Sequence, residues 1–200
     1  TVHGTIRKSN EEVEGLQKEF PEQLHVHQMD VTNAAQVKEL GNKIQDKVDI
    51  VINNAGALSG YQTKFEDLDP SELSSIFDIN VNGPLRVTQA LLPALKKSSQ
   101  PKLVHVSSKV GSIADNSSGG AYAYRISKTA LNMLSKNISL EFPEITNVVM
   151  HPGWVQTDMG GEAAPVTPAI SAKGISTVIS KLSNSDSGMF FDYEGKKIPW

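Results

Sequence analysis

Short runs of β-branched and apolar residues alternate with longer stretches of amphipathic spacing along this 200-residue chain. The runs fall at residues 2–5, 24–29, 48–52, 103–106, 147–150 and 189–191. Between them, apolar positions recur at helical spacing over residues 10–20, 34–45, 70–97, 122–141 and 170–182. Strands alternating with helices predict right-handed βαβ crossovers and a parallel sheet. Val48-Asp49-Ile50-Val51-Ile52 and Leu103-Val104-His105-Val106 are mostly apolar, as strands covered on both faces should be. Asp69-Pro70 supplies a cap and a first-turn proline for the middle helix. Ser117-Ser118-Gly119-Gly120 reads as a loop, and residues 160–168, rich in Gly, Ala and Pro, as a longer irregular segment. No internal repeat divides the chain, so one domain is expected.

Composition narrows the function classes. A content of 38% hydrophobic and 20% charged residues suits a globule rather than a disordered chain. Nineteen Lys+Arg against 22 Asp+Glu leave a net charge of −3, with no basic footprint for nucleic acid or for a membrane surface. No apolar run approaches the roughly 18 residues of a membrane span. Cysteine is absent, which excludes a disulfide scaffold, a thiolate nucleophile and a Cys-based zinc site. A reducing compartment is compatible with that, and a cytoplasmic location is the expectation. The five histidines show no ligand spacing, His25 and His27 merely alternating in a strand, so no metal site is expected.

Candidate chemistry starts at Tyr124-Arg125-Ile126-Ser127-Lys128. Tyr124 and Lys128 are four apart, on one face of a helix. A nearby ammonium favours the tyrosinate, which predicts a lowered Tyr124 pKa and a proton donor and acceptor nearer neutral pH. The same spacing also describes two ordinary neighbours on a half-exposed helix. Ser107-Ser108 directly follows the run at 103–106. Ligands of open parallel sheets bind beyond the carboxyl ends of the strands, where Ser108 could hydrogen-bond a substrate oxygen. For Ser107, satisfying turn amides is the preferred role. Asn53-Asn54-Ala55-Gly56 ends its strand in the same way, with Gly56 open to close ligand approach, although Asn-Asn could equally tie neighbouring strands together. Gln62 breaks any phosphate-loop pattern begun by Gly56 and Gly60. Asp30-Val31-Thr32 is placed to meet an adenine edge, or Asp30 caps the following helix. In His151-Pro152-Gly153-Trp154-Val155-Gln156-Thr157, Pro152-Gly153 makes a sharp exit and Thr157 could hold an amide-bearing ring.

Taken together these motifs resemble the short-chain dehydrogenase/reductase superfamily. The matching residues are Asn53-Asn54-Ala55-Gly56, Asn80 in Asp78-Ile79-Asn80-Val81-Asn82-Gly83, Ser108, Tyr124-x-x-x-Lys128 and Pro152-Gly153 with Thr157. They stand in the family's order and cover most of the chain. Tyr124 through Asn132 and the tail from Asp192 to Trp200 look like the branch of C-factor and sniffer-type carbonyl reductases. The resemblance implies a Rossmann-like α/β fold, a doubly wound parallel sheet. It also implies a catalytic set of Asn80, Ser108, Tyr124 and Lys128. Tyr124 would be the general acid in reduction and the base in oxidation. Lys128 would lower its pKa and bond the nicotinamide ribose. Ser108 would position the substrate oxygen, and Asn80 would interrupt its helix and anchor a water. The partner would be a small carbonyl or alcohol. The resemblance leaves open a homodimer through the helices near 70–97 and 122–141, or a monomer.

In a dinucleotide fold the end of the second strand meets the adenosine ribose, where an acid suits a 2′-hydroxyl and an Arg a 2′-phosphate. Thr5 and Arg7 occupy that region, with no acid before Asn10, which favours NADP over NAD. The family's glycine-rich turn, with its strand and helix, has no counterpart in these 200 residues. Its strand belongs in the centre of the sheet, so the chain is expected to be a single, N-terminally incomplete dinucleotide-binding domain whose activity alone is doubtful. Residues 154–168 are expected to form a mobile substrate lid, with Trp154, Met159 and Val166 lining an apolar pocket or simply packing. The leading function is hydride transfer between NADP(H) and a carbonyl or alcohol. The alternative is a catalytically silent dinucleotide fold with a regulatory or binding role.

Overall fold

Four helices begin where a short polar side chain accepts hydrogen bonds from the first free amides. In the computed structural model, which describes residues 1–200, Asn10 accepts from the Val13 amide, Asn33 from Ala35 and Gln36, Asp69 from Ser71 and Thr167 from Ile170. The elements are β1 (Val2–Ile6), α1 (Glu11–Glu19), β2 (Leu24–Gln28), α2 (Ala34–Lys43), β3 (Ile50–Asn53) and α3 (Pro70–Phe77). They continue with α4 (Gly83–Leu95), β4 (Lys102–Val106), α5 (Tyr122–Glu141), β5 (Thr146–His151), α6 (Pro168–Lys181) and β6 (Phe190–Asp192). Asn33, not Asp30, caps α2; the Asp30 carboxylate instead closes its own turn by accepting from the Thr32 amide and hydroxyl at 2.8 and 2.7 Å. No helix is long and apolar enough to cross a membrane.

Every strand pairing is parallel, and the chain has the α/β, Rossmann-like architecture expected of it. The strands form two groups, β1-β2 and β3-β4-β5-β6. One edge of β1 and one edge of β3 therefore carry no strand partner. The β4 expectation holds: Leu103 packs with α2, α4 and α5, while its neighbour Val104 packs with α6 on the other face. For β3 it fails on one face. Val51 is buried, but Ile50 and Ile52 are 44% and 48% exposed. Alternate strand residues face opposite ways, and only the Val51 face has helices against it.

The helical stretch over 70–97 is interrupted at Asn80, as the resemblance implies. Between α3 and α4 the backbone widens into one π-helical turn, Asp78–Asn82, with Asn80 at its middle. Such turns are rare and concentrate at functional sites. Residues 154–168 fold on themselves. Val155 bridges Val166, Trp154 Nε1 donates to Gly160 O at 2.7 Å, and Gln156 Nε2 donates to Ala164 O at 2.9 Å. Val166 is buried there, whereas Trp154 and Met159 remain exposed.

Candidate active site

Because β3, β4 and β5 run parallel in register, their carboxyl ends share one rim. Asn54 to Gly56, Ser108 and Pro152-Gly153 all leave the sheet there. Helix α5 crosses behind this rim and supplies Tyr124 and Lys128, one turn apart. Lys128 is buried; its Nζ lies 5.7 Å from the centre of the Tyr124 ring and donates to Val106 O at 3.0 Å. Gly56 lies against the ammonium; a Cβ there would sit 3.3 Å from Nζ, a tight contact. Burial lowers the Lys128 pKa to about 8.

The phenol departs from expectation. Burial pushes the Tyr124 pKa up, and the Ser108 hydroxyl only partly opposes this. The Lys128 ammonium donates to the Val106 carbonyl rather than to the phenol. Tyr124 therefore keeps its proton throughout the neutral range, the state of an acid rather than a base. Ser108 also starts a short 3-10 turn, Lys109–Gly111, its Oγ accepting from the Val110 amide at 3.4 Å. Ser107 faces the other way and joins β4 to α5, donating to Asn132 Oδ1 at 2.8 Å.

Asn80 is fully buried, 0% exposed, and both ends of its amide are bonded. Oδ1 accepts from the Ala57 amide at 2.8 Å, while Nδ2 donates to Ala57 O and to Ser127 Oγ, both at 2.9 Å. Asn80 thus clasps the segment after β3 to the helix bearing Tyr124 and Lys128. Asn53, by contrast, turns inward. Its Nδ2 donates to Thr88 Oγ1 at 3.1 Å and lies 3.3 Å from His105 Nδ1, so it ties β3 to α4 and β4 and leaves the crevice to Asn54, Ala55 and Gly56.

In the separate β1-β2 pair, Thr5 and Arg7 are exposed at the end of β1, and Asp30 and Val31 follow β2. The Thr32 bonds hold the Asp30 carboxyl below its usual range, with the Arg7 charge helping slightly. Pro152 O accepts from Ser171 Oγ at 2.6 Å, Gly153 adopts φ +89°, and Thr157 Oγ1 accepts from the Gly160 amide at 3.2 Å. Two grooves lie apart from this cluster. One of about 610 Å³ runs between α6 and Tyr193, and one of about 450 Å³ lies beside Ile113, Ile126 and Met133.

Sequence reasoning missed three supporting groups. Ser127 lies inside the Tyr124–Lys128 motif, but its bond to Asn80 crosses between elements. Arg125 donates to the carbonyls of Gly119, Gly120 and Val110 and to Ser118 Oγ, at 3.0, 3.1, 3.1 and 2.9 Å. It pins the loop that enters α5, where Ala121 takes a left-handed φ of +45°. His105 is fully buried, with no partner for Nε2.

A rim where parallel strands end, bearing a Tyr–Lys pair and an adjacent serine, defines a nucleotide-fold oxidoreductase. The chain belongs to the short chain dehydrogenase family, whose model matches residues 2–166. It is 48% identical over 155 residues to C-signal of Myxococcus xanthus, covering 76% of this chain and 93% of that protein. Its fold matches the NADPH-bound carbonyl reductase from chicken fatty liver with a TM-score of 0.93 at 33% identity, covering 100% of this chain and 87% of the other. The carbonyl reductase Sniffer of D. melanogaster matches with a TM-score of 0.93 at 31% identity, over 99% and 87% of the respective chains.

Proposed function

We propose that this protein reduces small carbonyl compounds with NADPH, Tyr124 delivering the proton. The observation that carries this reading is the Tyr124 phenol beside the Ser108 hydroxyl at the rim, with the Lys128 ammonium 5.7 Å from its ring. The bound cofactor would supply the hydride to the carbonyl carbon. Ser108 would hydrogen-bond the carbonyl oxygen and Tyr124 Oη would give it a proton, so that charge developing there is met by donors already in place. Lys128 would bond the nicotinamide ribose, and Asn80 would hold the segment after β3 against it. Arg7 would bond the 2′-phosphate, Asp30 and Val31 the adenine, and Pro152, Gly153 and Thr157 the nicotinamide side. Residues 154–168 would cover the substrate. A cysteine-free chain suits the reducing cytoplasm, and the exposed stripe of Ile126, Met133 and Leu140 on α5 favours a homodimer.

The test is NADPH oxidation by the purified protein with aromatic and aliphatic aldehydes and ketones, repeated with NADH. The expected outcome is a kcat/KM ratio favouring NADPH, reduced on the order of tenfold in Arg7→Ala through loss of a charge-assisted phosphate bond. A preference for NADH in the unaltered protein removes the NADP assignment.

A further inference from the structure

A π turn is less well bonded than the α-helix on either side of it and persists where other contacts hold it. The turn at Asp78–Asn82 is braced across its length by one carboxylate. Asp78 Oδ1 accepts from Arg86 Nη2 at 2.7 Å and from Asn82 Nδ2 at 3.1 Å. The ion pair therefore spans the turn from its first residue to the first turns of α4. Both side chains are partly buried, 28% exposed for Arg86 and 34% for Asp78. Shielding of this kind makes an Arg–carboxylate bond count for more than it would on an open surface.

The same guanidinium reaches a second element. Arg86 Nη1 donates to Val31 O at 3.4 Å, in the turn after β2. Gly83, at the start of α4, lies directly against that residue; a Cβ there would come within 2.7 Å of Val31 Cγ2. Val31 and the π turn are thus packed together, with Arg86 bonded to both. The far side of the π turn is Asn80, which bonds Ala57 and Ser127.

We propose that Arg86 is a positioning residue that couples the adenosine end of the cleft to Asn80, through its bonds to Asp78 and Val31 O. The proposal rests on the assignment of Val31 and Asn80 to the cofactor cleft. A nucleotide seated on Asp30-Val31 fixes that turn; Arg86 passes the restraint to Asp78, and the π turn then holds Asn80 on Ala57 more firmly. Coupling of this sort is reciprocal, so disturbing the π turn also weakens nucleotide binding.

The Ala57 amide, bonded to Asn80 Oδ1, reports on it directly. The experiment is hydrogen–deuterium exchange at Ala57 in the unaltered protein, Arg86→Met and Arg86→Lys, each with and without adenosine 2′,5′-bisphosphate. Core amides of β4 and β5 serve as the control for global stability. Arg86→Met is expected to speed Ala57 exchange on the order of tenfold, leave the control amides unchanged, and abolish the slowing produced by the nucleotide. Arg86→Lys keeps one charged bond but not the fork, and should fall between. Unchanged Ala57 exchange in Arg86→Met overturns the proposal whatever the enzyme turns over. So does nucleotide binding, measured by calorimetry, that leaves Ala57 exchange in the unaltered protein untouched. Failure of the nucleotide to bind at all refutes the cleft assignment, and the coupling with it; the Arg86→Met exchange then still reports whether the π turn needs the ion pair.

Discussion

Replacing Tyr124 by Phe is expected to lower kcat for carbonyl reduction by about 10²–10⁴-fold, the usual worth of a positioned proton donor. NADPH affinity should stay within about twofold, because Phe fills the same space and Lys128 is held by the Val106 carbonyl rather than by the phenol. The raised phenol pKa gives the unaltered enzyme its pH dependence. Reduction needs the protonated phenol and should not be limited by it anywhere near neutrality. The reverse oxidation needs the phenolate and should speed up as pH rises. Stopped-flow reduction and a fluorescence titration with NADPH measure the two quantities separately. A Phe variant within tenfold of the unaltered kcat would remove Tyr124 from the proton-transfer step.

The second large effect is on acid stability and comes from His105. Asn53 Nδ2 lies 3.3 Å from His105 Nδ1. An amide nitrogen donates, so the ring accepts at Nδ1 and carries its proton on Nε2. That Nε2 is buried and has no partner. Charging this ring would bury a cation close to Lys128. Burial first, and the Lys128 charge second, bring its pKa down to about 4. The folded state therefore prefers the neutral ring. Above the ordinary histidine pKa of about 6.5 both states are neutral and pH has no effect through this group. As pH falls from about 6.5 toward 4, only the unfolded chain takes the proton, and stability drops. At pH 5 the loss is about 2 kcal/mol, a large fraction of the roughly 5–15 kcal/mol of a typical domain. His151, also brought down to about 4, mainly by burial, acts in the same direction. His105→Asn can still bond Asn53 and cannot charge. Urea midpoints measured between pH 7 and 5 should fall steeply for the unaltered protein and clearly less for the variant. Equal slopes would show that His105 does not titrate with unfolding.

These two residues differ in how far they can be read from the chain. Tyr124 and Lys128 share a helix, and α5 spans the residues that the apolar periodicity marks, so their common face follows from helical geometry alone. Ser108 and Pro152-Gly153 are equally legible, since strand ends of a parallel sheet share a rim. The sign of the Tyr124 shift is not legible. It depends on how much protein covers the ring and on which acceptor the Lys128 ammonium chooses, and neither is a property of spacing. Asn53 shows the same limit. Its place at a strand end suggests the crevice, but strand alternation turns it inward to Thr88 and His105. The π turn escapes periodicity altogether, because a single widened turn leaves the apolar pattern of α3 and α4 nearly continuous; the bonds that brace it, from Arg86 and Asn82 to Asp78, are contacts between side chains.

By itself the sequence determined the alternation of strands and helices, the parallel sheet, the family and the helical face shared by Tyr124 and Lys128. All of these follow from local repeat geometry and from the rule that strands covered by helices are apolar. Only the tertiary structure decided that β3 is covered on one face, that Asn80 clasps Ala57, that Arg86 bonds both the π turn and the Val31 turn, and that burial pushes the phenol pKa up rather than down. Those outcomes rest on desolvation and on hydrogen bonds between residues distant in the chain, which exist only once the elements have packed.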